Sequence, residues 1–228
     1  MRKLVLWGHG VDDYREMFDL THDEMNSRIL EYGCGASAVN RQQTQANHAV
    51  VSCDPLFVLD KDTLSSKVTM IFAAMAEEVK TEAAQFDFSR SGSFDNLLVA
   101  RRQGIDQFFT DYDQGKAQGR YLGVTDYHLP FDDFSFDFAL SAHYLFADLD
   151  DQTVDFHLAV IRELARVAKE VRIFPLIDRE GKTSEFLGSV LLGLQQENYG
   201  VEVREVAFHL HKSGNAMLRV WAQQCNIK

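Results

Sequence analysis

The sequence predicts an α/β fold: three layers, with a mostly parallel seven-stranded sheet between helices and an antiparallel hairpin at its C-terminal edge. Three observations predict it. Short β-rich runs alternate with stretches of helical period from residue 29 onward. Two of those runs end in turn chemistry, Gly33-Cys34-Gly35 and Asp54-Pro55. The last two runs, Val201 to Leu210 and Met217 to Ala222, are joined by Lys212-Ser213-Gly214-Asn215. That connection is too short for a parallel crossover, so the pair is antiparallel.

The elements follow in order. Residues 11–26 carry Val11, Tyr14, Phe18 and Met25 at helical spacing and read as one helix. Ile29 to Tyr32 is the first strand, and a short helix follows the glycine turn to about His48. Ala49 to Cys53 is the second strand, stopped by Pro55, which has no N–H for a sheet ladder. Residues 60–118 differ in character. Leu64, Val68, Ile71, Met75, Val79 and Phe86 follow helical spacing, as do Leu98, Ile105, Phe108 and Tyr112 after the break at Ser89 to Ser93. This predicts a helical hairpin inserted into a single domain spanning residues 1–228. Strands are expected at Tyr121 to Val124, Phe136 to Ser141 and Val171 to Ile177, with helices around Phe156 to Val167 and Ser184 to Glu197.

Composition narrows the function. Of 228 residues, 46% are hydrophobic and 25% charged, which excludes disorder, collagen and coiled coil. The net charge of −11 counts against a general nucleic-acid binder. Cys34, Cys53 and Cys225 form no disulfide framework and no zinc spacing, so a reducing compartment is expected. The apolar stretch Leu4 to Trp7 is too short for a secretory leader, and no apolar run approaches the ~20 residues of a membrane helix. A cytoplasmic protein is expected, a monomer or homodimer, without membrane or nucleic-acid partners.

Ligands of open parallel sheets bind beyond the carboxyl ends of the strands, where strand order reverses. The first strand ends there at Gly33-Cys34-Gly35, and the next helix presents free N–H groups to a ligand. Asp54 follows Gly35 by nineteen positions, ending the second strand, where a ribose diol needs an acceptor. Glycine turn and acid together point to an adenosine-containing ligand. Gly33-x-Gly35-x-x-Ala38 also satisfies the loose dinucleotide pattern, which by itself leaves NAD open.

Four stretches in order narrow this further: Arg28 to Gly35, Val51 to Asp54, Leu129-Pro130-Phe131-Asp132-Asp133-Phe134-Ser135-Phe136-Asp137-Phe138 through Ser141, and Glu163-Leu164-Ala165-Arg166-Val167. Taken together, the chain resembles the class I S-adenosylmethionine (SAM)-dependent methyltransferases, in particular the methyltransferase-11-like branch, over most of residues 28–177. The resemblance implies a Rossmann-like sandwich. It implies SAM bound over Gly33, Cys34 and Gly35, with S-adenosylhomocysteine as product. Glu31 would support the loop and the methionine amino end, Asp54 and Pro55 would meet the ribose, and Thr125 and Asp126 would lie near adenine. Ser141 and His143 would stand beside the methyl group. Three departures from the family pattern stand out. Ser37 replaces a third glycine, Asp126 lies three rather than four residues before Leu129, and Lys169-Glu170 replaces a glycine pair.

The resemblance implies methyl transfer to a small, neutral or cationic acceptor by alignment and exclusion of water. His143 is the candidate general base, and Tyr14, Tyr144 and Phe146 are candidates to face the sulfonium or the substrate. A non-catalytic SAM or S-adenosylhomocysteine binder that docks partners through the insertion is the alternative. His209-x-His211 lacks neighbouring acids or cysteines and is rejected as a metal site. Arg101 and Arg102 are expected on a solvated helix face. Phe86, Phe88 and Phe94, beside the Ser89 to Ser93 tip, are expected to enclose an apolar acceptor.

Overall fold

A computed structural model describes residues 8–147, 152–178 and 180–222; the Leu4 to Trp7 stretch and Cys225 lie outside them. Seven strands form one sheet: β1 (Ile29–Tyr32), β2 (Val50–Asp54), β3 (Tyr121–Gly123), β4 (Phe136–Ala142), β5 (Ala168–Phe174), β6 (Tyr199–Glu205) and β7 (Ala216–Ala222). Their order is β3-β2-β1-β4-β5-β7-β6, with only the β7 pairings antiparallel. Strand order reverses between β1 and β4, so the ligand position predicted by topology lies beyond Tyr32 and Ala142.

The period-2 alternation of the strands builds two cores. Leu30, Ala139, Ile173 and Leu218 pack on one face beneath α6 (Val154–Val167) and α7 (Leu187–Gln196). Ile29, Leu140, Phe174 and Met217 pack on the other with α1 (Val11–Met17) and α3 (Val39–Gln45). The single helix expected over 11–26 is two. Asp19 adopts φ 47, and Thr21 starts α2 (His22–Met25) with a capping box, its hydroxyl accepting from Glu24 N at 3.2 Å.

The insertion is a helical hairpin, α4 (Lys61–Thr81) and α5 (Phe94–Ala117), capped by Asp60 and Ser93. Its first helix touches two separate clusters. Leu64 and Val68 pack with Phe57, Phe108 and Ala36 of the glycine turn. Met75 and Val79 pack with Ala142, Phe174 and Phe208. Helix α4 therefore runs over the carboxyl ends of the strands, from the β2 side to the β5 side. The expected tip is ordered by its own bonds: Ser91 Oγ donates to Ser93 O at 2.9 Å, and Arg90 pairs with Glu16.

Two connections differ from expectation. No turn separates α6 from β5, because Ala168 is already extended (φ −128, ψ 152). Lys169 and Glu170 are therefore strand residues, paired with Asp137 and with Arg172 and Arg219. The C-terminal pair is antiparallel as expected, but β6 stops at Glu205 and residues 206–215 leave the sheet. Asp87 N donates to Leu210 O (2.8 Å) and Lys212 N to Gln85 O (2.9 Å), so this loop pairs with the α4–α5 connection. His209 and His211 sit in that loop rather than on a strand.

Helix α5 crosses the backbone of Gly8 at Gly104. A Cβ at Gly104 would lie 2.0 Å from Gly8 O, whereas one at Gly188 in α7 meets nothing within 4 Å. Gly104→Ala should cost ~1–3 kcal/mol by overpacking, and Gly188→Ala should stabilise by up to ~1 kcal/mol through helix propensity. Urea unfolding of both variants checks the crossing.

Candidate functional site

The turn after β1 is held from below and from the side. Gly33 and Gly35 adopt φ +67 and +54, which glycine takes without strain. Asp54 Oδ2 accepts from Gly35 N (2.8 Å) and Oδ1 from Leu56 N (2.8 Å), tying the turns after β1 and β2 together. Glu31 lies fully buried beneath the turn, accepting from Ser37 Oγ (2.9 Å) and Ser52 Oγ (2.6 Å). Burial raises its pKa, and those hydroxyls work in the opposite direction. Ser37 also accepts from Val39 N at the start of α3, so it fills the place of a third glycine as a local cap. Asn40 extends the network from Ser52 to Arg120, which pairs with Asp111 of α5.

The space above Gly33 is taken by Tyr144. A Cβ at Gly33 would lie 2.2 Å from Tyr144 Cγ. Tyr144 belongs to the loop after β4, where His143 and Phe146 both adopt left-handed backbone (φ 56 and 64). Beside Tyr144 a cleft of about 170 Å³ is lined by Asp54, Pro55, Leu56, Val58, Leu59 and Lys67. Its acceptor and apolar walls fit the adenosine half of SAM. The methionine half fits over Gly33 only once the Tyr144 ring turns aside.

Other expected residues divide. Ser141 is buried on β4, and its hydroxyl has no hydrogen-bond partner among the described residues. Cys34 packs against the Leu64 and Val68 cluster; burial, then the Glu31 and Asp54 carboxylates, push its thiol pKa up. Thr125 and Asp126 are exposed and line no part of the Asp54 cleft; Asp126 caps His128 N at 2.9 Å. Phe146 is a core residue stacked on His157 (4.7 Å between centroids), which accepts from Phe146 N, so it faces no ligand. Tyr14 is fully buried, edge-on to Phe18 and close to Glu31.

His143 is half-buried and stacked on His9 (5.1 Å, 9° between planes), and its backbone N donates to Phe174 O at 2.7 Å. Burial, then the charges of His9 and Arg101, hold its pKa well below the ordinary value, so the ring is neutral at pH 7. It lines a cavity of about 90 Å³ under α4, with Met75, Phe174 and Phe208 among the walls. Arg101, expected on a solvated face, is instead buried and paired with Asp13. Arg102 is exposed. Among the charges that line a larger cleft of about 560 Å³ between α1 and α5, Arg90 pairs with Asp13 and Glu16, and Arg101 with Asp13. The His9–Asp13–Arg101 group had one sequence signal, the Gly8-His9-Gly10 flanks that permit close approach.

No family model matches the chain. An uncharacterised protein of Methanocaldococcus jannaschii is 24% identical over 219 residues, covering 96% of each chain. Among solved structures, a SAM-dependent methyltransferase from Aquifex aeolicus aligns over 92% of each chain at 16% identity, TM-score 0.43. The magnesium protoporphyrin IX methyltransferase of Synechocystis aligns over 87% of this chain and 71% of its own at 11% identity, also TM-score 0.43. At these values the likeness carries no functional weight, and the fold assignment rests on the strand order itself. Among the described residues no helix is long and apolar enough to cross a membrane, and no group of three metal-binding side chains converges.

Burial foremost, then the Arg101 charge, lowers the His9 pKa from 6.5 to about 4, against the hydrogen bond that the His9 ring donates to Asp13. The unfolded chain therefore binds the proton first. Stability is intact above pH 6.5 and falls as the pH drops towards 4, by on the order of 3 kcal/mol for this group. His143, depressed in the same direction, adds to the loss. Unfolding free energies at pH 7, 5.5 and 4.5 should show the slope, and His9→Gln should flatten it.

Proposed function

We propose that the chain is a SAM-dependent methyltransferase, one domain over residues 1–228, acting on a small-molecule acceptor. The observation that carries the reading is the placement of Asp54. Its carboxylate ends β2 next to the reversal of strand order, fixes the Gly33–Gly35 turn and opens on the cleft beside Pro55. A ribose diol needs such an acceptor, and a glycine turn without side chains lets the rest of an adenosyl ligand lie close to the backbone. The nicotinamide reading is weaker, because Glu31 fills the floor of the turn with a buried acid.

When bound, SAM supplies an electrophilic methyl group. This chain's residues then bind, orient and exclude water. Asp54 and Pro55 hold the ribose, Glu31 keeps the turn rigid through Ser37 and Ser52, and Gly33, Cys34 and Gly35 offer backbone. Ser141 and His143 border the reacting centre. Helix α4 covers the mouth. The neutral His143 orients the acceptor by a hydrogen bond and is too weak a base to hold its proton at neutral pH.

Calorimetric titration tests the reading. SAM and S-adenosylhomocysteine should bind and NAD should not; binding of NAD alone would overturn it. Asp54→Ala should weaken SAM at least ~10-fold, and Asp54→Asn, which keeps an acceptor oxygen for only one of the Gly35 and Leu56 N–H groups, should weaken it too, with a loss of stability that urea unfolding reads separately. With an acceptor in hand, His143→Ala should lower kcat by at least ~10-fold, and the wild-type kcat/KM profile should show no break near pH 6.5.

A further inference from the structure

The cavity beside His143 has its own chemistry. Its walls are apolar and aromatic: Met75 and Val79 from α4, Phe86 from the α4–α5 connection, Phe174 from the end of β5, and Phe208 and Leu210 from the 206–215 loop. Phe208 stands edge-on to Phe174 (5.6 Å, 89°), and Phe174 edge-on to His143 (5.6 Å, 88°), so the aromatic walls form one rigid set. The lining contains three carboxylates, Glu78, Glu82 and Asp178, and no lysine or arginine among the described residues. Glu82 and Asp178 line it from separate elements and both work towards the charged form of His211, another lining residue, although burial outweighs them and lowers its pKa. A positive charge in this cavity is therefore favoured by two carboxylates from separate elements and by aromatic faces. An anion would meet the same carboxylates as repulsion, and a neutral molecule would gain only the apolar walls.

We infer that this cavity binds a small organic ammonium ion, an amine carried on an apolar or aromatic body. The body lies against Met75, Val79, Phe174 and Phe208, and the ammonium group lies towards Glu82 and Asp178. The insertion and the 206–215 loop then have a shared role, since each contributes one wall and their backbones pair at Phe86 and His211.

Three probes of one shape test it on the intact chain without cofactor: phenethylamine, 2-phenylethanol and phenylacetate, titrated by calorimetry with chemical-shift mapping of the cavity residues. Phenethylamine should bind at least ~10-fold more tightly than 2-phenylethanol, and phenylacetate should not bind. Glu82→Gln combined with Asp178→Asn should erase the amine preference and leave 2-phenylethanol binding unchanged. The asparagine retains an oxygen for the Glu180 and Lys182 N–H groups that Asp178 now accepts. Equal affinity for the three probes, no binding of any, or a preference that survives the double substitution would overturn the inference. A parallel SAM titration separates the two readings: amine binding without SAM binding refutes the methyltransferase while leaving the cavity assignment standing.

Discussion

The candidate site depends on one carboxylate. Asp54 joins the turn after β1 to the turn after β2 by two hydrogen bonds of 2.8 Å, both from backbone N–H groups. Gly33 N also donates to Cys53 O (2.9 Å), but without Asp54 the Gly35 end of the turn would lose its tie to the second strand. Charge-assisted bonds of this kind are the stronger ones, and here they are buried. The same carboxylate ends β2 next to the position where topology places a ligand. It thus ties the two turns together and lines the cleft beside Pro55.

A second layer of support lies beneath. Glu31, Ser37, Ser52, Asn40, Arg120 and Asp111 form a continuous polar chain from the glycine turn to α5. This chain links the inserted hairpin to the turn through hydrogen bonds, while Leu64 and Val68 link it through packing. The insertion is therefore coupled to the site twice, by independent physics. At its other end, Met75 and Val79 close the cavity beside His143. One helix thus covers both the cleft beside Asp54 and the neighbouring cavity.

Much of this was legible in the residues. The strands were readable because their apolar runs are short and bounded by turn chemistry. Asp54 and the glycines were readable because few residues tolerate those positions. The break between α1 and α2 was written in Thr21-x-x-Glu24, a capping box hidden by the continuous apolar stripe from Val11 to Met25. The 206–215 loop imitated a strand because Val206, Phe208 and Leu210 alternate; Phe208 and Leu210 serve the cavity and not the sheet. The His9–His143 stack and the Asp13–Arg101 pair join residues about ninety or more positions apart. No local spacing encodes such contacts, and burial, which lowers the pKa of both histidines, exists only in the folded chain. Tyr144 was singled out as an aromatic near the ligand, but its position on Gly33 follows from the left-handed turn after β4.

The central claim is that an adenosyl ligand binds over the Gly33 turn beneath α4. Amide hydrogen exchange with and without saturating S-adenosylhomocysteine tests it most directly. The account predicts slower exchange at residues 33–35, at 54–58 and along 61–81, together with a change at 143–147 as Tyr144 yields its place. Identical exchange in all four segments, with and without ligand, would contradict it.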